Sequence, residues 1–245
     1  MNTLSASSLL MCWENAQAAS PVGRSLSLLA AAWPEVESRH WATLPIGVRD
    51  AWLLAAHDAL FGAELDTLAS CPQCAEVLES RFTSHDIAVD ARSALEAPPR
   101  LSCDGVELGW RLPTSEDFLE VQASAATAEE AAWRLLERCV VDARQDGTAL
   151  SARELPDRVI DRLQQEMARR DPGADMRVVL DCPACGHRFE RRFDIGAYLW
   201  SALDDWAHRT LAEVHTLATA YGWTEPQVLA LSAARRRHYI ALVQS

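Results

Sequence analysis

The sequence of 245 residues predicts an α+β fold that is mainly α-helical. Helical N- and C-terminal regions surround a zinc-ribbon-like element made of two sequence-distant C-P-x-C hairpins, with a β-hairpin plus helices inserted between them. Three observations predict it. Apolar residues recur at helical spacing on both flanks, two short stretches far apart in the chain repeat one another, and an Asp-Gly pair between short apolar runs marks a hairpin turn. The length and a hydrophobic content of 49% suffice for one composite domain or two intimate ones.

Residues 1–65 read as an N-terminal helical region. Leu9, Leu10 and Trp13 predict a helix over Ser5 to Gln17, and a second runs from Val22 to Trp33, stopped by Pro34. A third carries Pro45 in its first turn, where a missing N–H costs nothing, and closes at Gly62. Helical periodicity is then lost. Residues 66–90 hold the first knuckle, Cys71-Pro-Gln-Cys74, followed by Val77, Leu78 and Phe82, which suit a short strand pair. Asp86 to Arg100, with Pro98 and Pro99, reads as a linker.

Residues 100–172 form the insert. Asp104-Gly105 within Leu101 to Leu112 predicts a β-hairpin. Pro113-Thr114-Ser115 with Asp117 begins a helix in the manner of a capping box. The next helix spans Ala128 to Ala143, with Trp133, Leu136, Cys139 and Val140 on one face, and the Asp146-Gly147 turn follows it. Pro156 opens a helix bearing Val159, Ile160, Leu163 and Met167 that ends near Pro172-Gly173.

Residues 176–194 hold the second knuckle: strand-like Met176 to Leu180, then Cys182-Pro-Ala-Cys185-Gly-His, then Phe189 to Phe193. Residues 195–245 are helical again. A long helix over Ile195 to Tyr221 points Leu199, Leu203, Trp206, Val214 and Leu217 inward and stops at Gly222. Thr224-Glu-Pro-Gln227 caps a short helix, and Ser232 caps a last one carrying Ile240, Leu242 and Val243.

The repeat carries the chemistry. Cys71, Pro72, Cys74, Leu78, Glu79, Arg81 and Phe82 fall on Cys182, Pro183, Cys185, Phe189, Glu190, Arg192 and Phe193, with six identities in order. Each segment is therefore expected to form the same small hairpin. A tight C-x-x-C turn directs two sulfurs at a point about 2.3 Å away, where Zn²⁺ lowers the thiol pKa and holds thiolates. Two such turns face to face complete a tetrahedron, so Cys71, Cys74, Cys182 and Cys185 are the predicted ligands of one structural zinc ion, across 107 intervening residues. Four thiolates leave no open coordination position, which makes the site structural and not catalytic. His187, two residues past Cys185, is expected at the surface or behind the ligands.

Two rival readings use the same residues. A dithiol oxidoreductase needs a helix opening at the motif so that its N-terminus depresses one thiol's pKa, whereas strand-like segments follow both motifs here. A pair of disulfides conflicts with a reducing cytosol. Cys12, Cys103 and Cys139 stand singly and are expected as buried small hydrophobes.

Composition narrows the function. A net charge of -12 repels a phosphate backbone, so nucleic acid is an unfavoured partner, and a zinc-ribbon regulatory or nucleic-acid-binding module is the alternative reading. The longest apolar stretches fall well short of the roughly 20 residues that span a bilayer, and Met1 to Gln17 lacks a basic leader and holds Glu14. A cytoplasmic protein is expected. No G-x-S-x-G, P-loop, dinucleotide fingerprint or H-E-x-x-H occurs, so neither an enzyme nor a small-molecule substrate is predicted. Nine tryptophans hint at a protein partner. His208 and His215, with Asp204, Asp205 and Glu213 nearby, read as a solvated face, His57 as a core histidine, and Arg235-Arg236-Arg237 as solvated.

Cys182-Pro-Ala-Cys-Gly-His-Arg-Phe-Glu with Phe193-Asp-Ile-Gly-Ala-Tyr-Leu-Trp200 resembles the T4-type baseplate hub assembly chaperone family of contractile phage tails and related injection systems. The tail end, with Tyr221-Gly-Trp223, Val228-Leu-Ala-Leu231 and Arg235-Arg-Arg-His-Tyr239, is similar to the ending of small proteins of such systems. The resemblance implies a non-enzymatic baseplate component or assembly factor whose partners are hub or spike subunits. The duplicated knuckle with its long insert departs from simpler relatives.

Overall fold

A computed structural model describes residues 5–98 and 100–244. The first four residues of the apolar N-terminal run and Pro99 of the expected linker lie outside the described residues. The described parts of Met1–Val36 and Gly196–Ser245 make up one unit, and Glu37–Ile195 makes up another.

In the first unit, α1 (Ala6–Ala16) is capped by Ser5, whose hydroxyl accepts from the Ser8 N–H. Ser20 does the same for α2 (Pro21–Ala32), with Pro21 at the first helical position, where its missing N–H is harmless. The two helices pack together, burying Leu9, Leu10 and Ala16 from one and Leu28, Leu29 and Ala32 from the other.

The second unit begins with α3 (Ser38–Thr43), a short helix that the sequence pattern did not announce; its Trp41 meets Trp52 edge to face at 5.5 Å. The next helix, α4 (Ile46–Phe61), starts one residue after Pro45, which sits at the cap and not within the first turn. Gly62 ends it at φ +95°, a value open to glycine without strain. Then come β1 (Glu64–Ser70) and β2 (Val77–Thr83), an antiparallel pair.

The expected linker is partly helical. α5 (Ser84–Ile87) is capped by Thr83 and Asp86, and α6 (Arg92–Leu95) is tied down by buried Ala94 and by the Ser93 hydroxyl donating to the Arg170 carbonyl. Four-residue turns such as these carry too few apolar positions for periodicity to reveal them.

Strands β3 (Leu101–Cys103) and β4 (Val106–Trp110) flank the predicted turn, where Asp104 and Gly105 both take positive φ. α7 (Ser115–Ser124) has the predicted capping box of Thr114 and Asp117. α8 (Ala128–Cys139) corrects the expected Ala128 to Ala143 helix: it stops at Cys139, and β5 (Val140–Gln145) continues as a strand. Two causes act together. Val140 and Val141 are β-branched, and the edge of β4 offers a full ladder, with Leu108 opposite Ala143. Asp146-Gly147 is a second hairpin turn with both φ positive, leading into β6 (Thr148–Ala149). The insert therefore holds a four-stranded sheet in the order β3-β4-β5-β6, not a lone hairpin.

Asp117 joins these parts. Its carboxylate is 1% exposed and accepts from Arg111 Nη1 and Nη2 at 2.6 and 2.7 Å, from Arg138 Nε at 2.6 Å and from the Thr114 N–H at 2.9 Å. α9 (Asp157–Arg170) buries Val159 and Leu163. A following turn of 3-10 helix brings Gly173 onto Gly47, so close that a Cβ on Gly47 would lie 2.0 Å from Asp171 Oδ1. β7 (Arg177–Asp181) and β8 (Arg188–Arg192) close the unit.

α10 (Ile195–Tyr221) carries the first unit onward with Leu199, Leu203, Ala207, Val214 and Leu217 buried, while Trp206 is only half-buried. Gly222 stops it at φ +67°. α11 (Glu225–Leu229) has the Thr224–Gln227 capping box, and α12 (Ala233–Gln244) follows Ser232, whose hydroxyl accepts from the Arg235 N–H. Arg236 corrects the solvated-arginine reading: it is 4% exposed and donates to Glu213 Oε2 at 2.7 Å and to the Leu231 carbonyl at 2.8 Å. Among the described residues no helix is long and apolar enough to cross a membrane.

Candidate metal centre

The two knuckles are the same structure twice. In the first, the Cys71 N–H donates to the Glu76 carbonyl and the Ala75 N–H to the Cys71 carbonyl, at 2.8 and 2.9 Å. In the second, Cys182 donates to His187 and Gly186 to Cys182, both at 2.9 Å. The residue after the second cysteine is left-handed in each, Ala75 at φ +62° and Gly186 at φ +71°. The strand registers agree as well: Asp66 pairs with Arg81 as Arg177 pairs with Arg192.

The hairpins meet through equivalent residues. Phe82 and Phe193 pack edge to face at 5.5 Å, and Arg191 donates to the Ser70 carbonyl at 2.9 Å. Cys71, Leu78 and Cys182 form a small buried core with Phe189 against it.

All four predicted sulfurs come together, within 4.8 Å of one another. Each first cysteine faces the other knuckle's second: Cys71 Sγ is 3.7 Å from Cys185 Sγ, and Cys74 Sγ is 3.6 Å from Cys182 Sγ. A tetrahedron of sulfurs about 2.3 Å from a central ion has edges of about 3.8 Å. The donor set and its spacing thus fit one tetrahedral metal ion. They do not fit disulfides, which need sulfurs about 2.05 Å apart, and all seven cysteines are free.

Electrostatics point the same way. Desolvation pushes the Cys71 thiol up, but N–H groups of Cys74 and Gln73 directed at its sulfur prevail and bring it down to about 7. At Cys74 an N–H from Glu76 favours the thiolate, yet the crowding sulfurs, Cys185 foremost, and desolvation push the thiol up to about 12. Thiolates as close as Cys74 and Cys185 repel unless a cation lies among them. Cys71 and Cys182 are buried, whereas Cys74 and Cys185 are exposed.

The other candidates lie elsewhere. His187 stacks on Phe189 and is not among the clustered ligand atoms. His208 lies edge to face on Trp13 with Nε2 3.6 Å from Asp204, and His215 is exposed. His57 is buried, as expected of a core histidine, and desolvation holds its pKa below the usual value. Cys12 and Cys139 are buried, with thiols pushed up by desolvation to about 11 and about 12, while Cys103 is half-buried. Neither knuckle opens a helix, the feature a dithiol active site uses to acidify a thiol. Ala75 was missed by sequence reading, although the repeat already placed it opposite a glycine.

Comparison with known proteins gives one finding. The family model described as T4 bacteriophage base plate protein matches residues 25–196, a span that includes both knuckles and the whole insert and ends before the Tyr221-Gly-Trp223 segment. No curated protein and no solved structure matches the chain.

Proposed function

We propose, starting from the fact that the chain belongs to the T4 bacteriophage base plate protein family, that it is a non-enzymatic, zinc-stapled component or assembly factor of the baseplate of a phage-tail-like contractile injection system. Its partners on this reading are hub or spike subunits, and it works in the cytoplasm where such particles are built. Cys71, Cys74, Cys182 and Cys185 hold one structural Zn²⁺, which ties two sequence-distant hairpins of the matched segment into one body. The observation that carries the reading is the four-sulfur cluster inside the span matched by the family.

Zinc supplies folding energy here and no reactivity, since four thiolates fill its coordination sphere. The protein's own contribution is the pair of knuckle turns, the Phe82–Phe193 contact and the N–H groups directed at Cys71. A net charge of -12 supports protein over nucleic-acid partners.

Two measurements test this reading. Elemental analysis of freshly purified protein should find one zinc per chain, and the chain should co-purify with hub or spike subunits when they are expressed together. A metal-free protein that folds normally removes the staple. Clean separation from those subunits under assembling conditions removes the baseplate role.

A further inference from the structure

A cavity of about 300 Å³ lies at the root of the two hairpins. One wall is α4, the opposite wall is the segment Ser84 to Val89 that follows β2, and Gly173 and Met176 lead from it into β7. Its floor is apolar, formed by Ala51, Leu54, Ala55 and Met176. At one end sit Asp58, Ser84 and His85: Ser84 Oγ donates to Asp58 Oδ2 at 2.8 Å and lies 3.1 Å from His85 Nδ1.

Among the described residues no arginine pairs with Asp58. Among the described residues, the ion-pair contact of Asp58 is with His57 Nδ1, 3.8 Å away. The Asp58 side chain is 32% exposed and lines the apolar trough. The volume is at the low end for ligand pockets, enough for one long side chain and too small for a large cofactor.

We propose that this cavity seats a basic side chain, arginine or lysine, presented by a partner protein. The methylene stem lies along Ala51, Leu54, Ala55 and Met176, and the cationic head meets the Asp58 carboxylate. The overall charge of -12 favours a basic partner surface in the same sense. The identity of the partner as a baseplate subunit rests on the function proposed above; the chemistry of the seat does not.

The test uses the full chain and a small probe, so its result does not depend on which subunits co-purify. N-acetyl-arginine methylamide is titrated into isotope-labelled protein, followed by amide chemical shifts. Saturable shifts are expected at Ala51, Ala55, Ser84 and Ala88, with a dissociation constant in the millimolar range, of order 1 mM. The neutral isostere N-acetyl-citrulline methylamide should bind about tenfold more weakly, and Asp58→Asn should weaken the arginine probe by a similar factor. The citrulline comparison needs no variant and stands even if Asp58→Asn disturbs the fold. Absence of saturation at those amides overturns the proposal, and so does equal binding of the citrulline probe. Tighter binding of N-acetyl-leucine methylamide also overturns it, making the cavity a socket for an apolar residue.

Discussion

Replacing Cys71 and Cys182 with serine removes the buried sulfur of each knuckle and with it the cross-link between the hairpins. The link joins hairpins separated by the 107 residues between Cys74 and Cys182, and on the proposed reading a zinc ion that only the folded chain holds stabilises it by its binding free energy, about 10 kcal/mol or more in small zinc domains. What remains between the hairpins is modest. The Phe82–Phe193 contact contributes about 1 kcal/mol and the Arg191 bond to the Ser70 carbonyl about 1 kcal/mol more. The loss exceeds the remainder, so the hairpins should part. Denaturant unfolding of the double variant should show a loss of about 5 kcal/mol or more, part of the metal's binding energy, and amides of β1, β2, β7 and β8 should lose hydrogen-exchange protection before those of α9. The same pattern should follow from chelation of the unaltered protein. An unchanged unfolding midpoint with intact protection in the four strands would refute the reasoning.

Asp117→Asn should cost about 3 kcal/mol at pH 7, at the low end for a broken buried pair because both arginines are partly solvated. Burial alone would raise the Asp117 pKa, but the Arg111 and Arg138 guanidinium bonds hold it well below the carboxylate range. Its stabilisation is therefore full above the unfolded value of about 3.9 and fades as pH falls toward the folded one, so urea midpoints of variant and parent should converge in acid. Ala75→Gly should raise the melting temperature, because relief of a left-handed alanine, worth about 1–2 kcal/mol, exceeds the roughly 0.5–1 kcal/mol entropic cost of glycine; Gly186→Ala should lower it. Arg236→Ala should destabilise by about 2–3 kcal/mol by stranding Glu213 and the Leu231 carbonyl, whereas Arg235→Ala and Arg237→Ala, both exposed, should stay within about 0.5 kcal/mol in the same denaturation assay.

Much of this was legible in the sequence because the signals were local. Thr114, Thr224 and Ser232 cap helices by bonds three residues long, and Asp104-Gly105 fixes a two-residue turn. The four-cysteine cluster was legible for another reason: the repeat is an internal comparison, and it marked all four sulfurs despite the distance between them. The failures were non-local. Nothing near Val140 says that β4 has an open edge waiting for it, so the helical pattern was carried on to Ala143. Arg236 looks like its neighbours until Glu213, 23 positions earlier, is folded against it. α3 and α6 are too short for any period to register.

The crosswise meeting of the sulfurs has a further consequence. Because first cysteine faces second in both pairs, and Phe82 faces its own counterpart, the two hairpins are related as the halves of a symmetric dimer. A peptide carrying either hairpin alone would hold half a coordination sphere, and the surface best suited to complete it would be another copy of itself. The insert thus occupies the place of a tether: it joins in one chain what would otherwise be a self-association, and on the proposed zinc reading it fixes the stoichiometry at one ion per molecule.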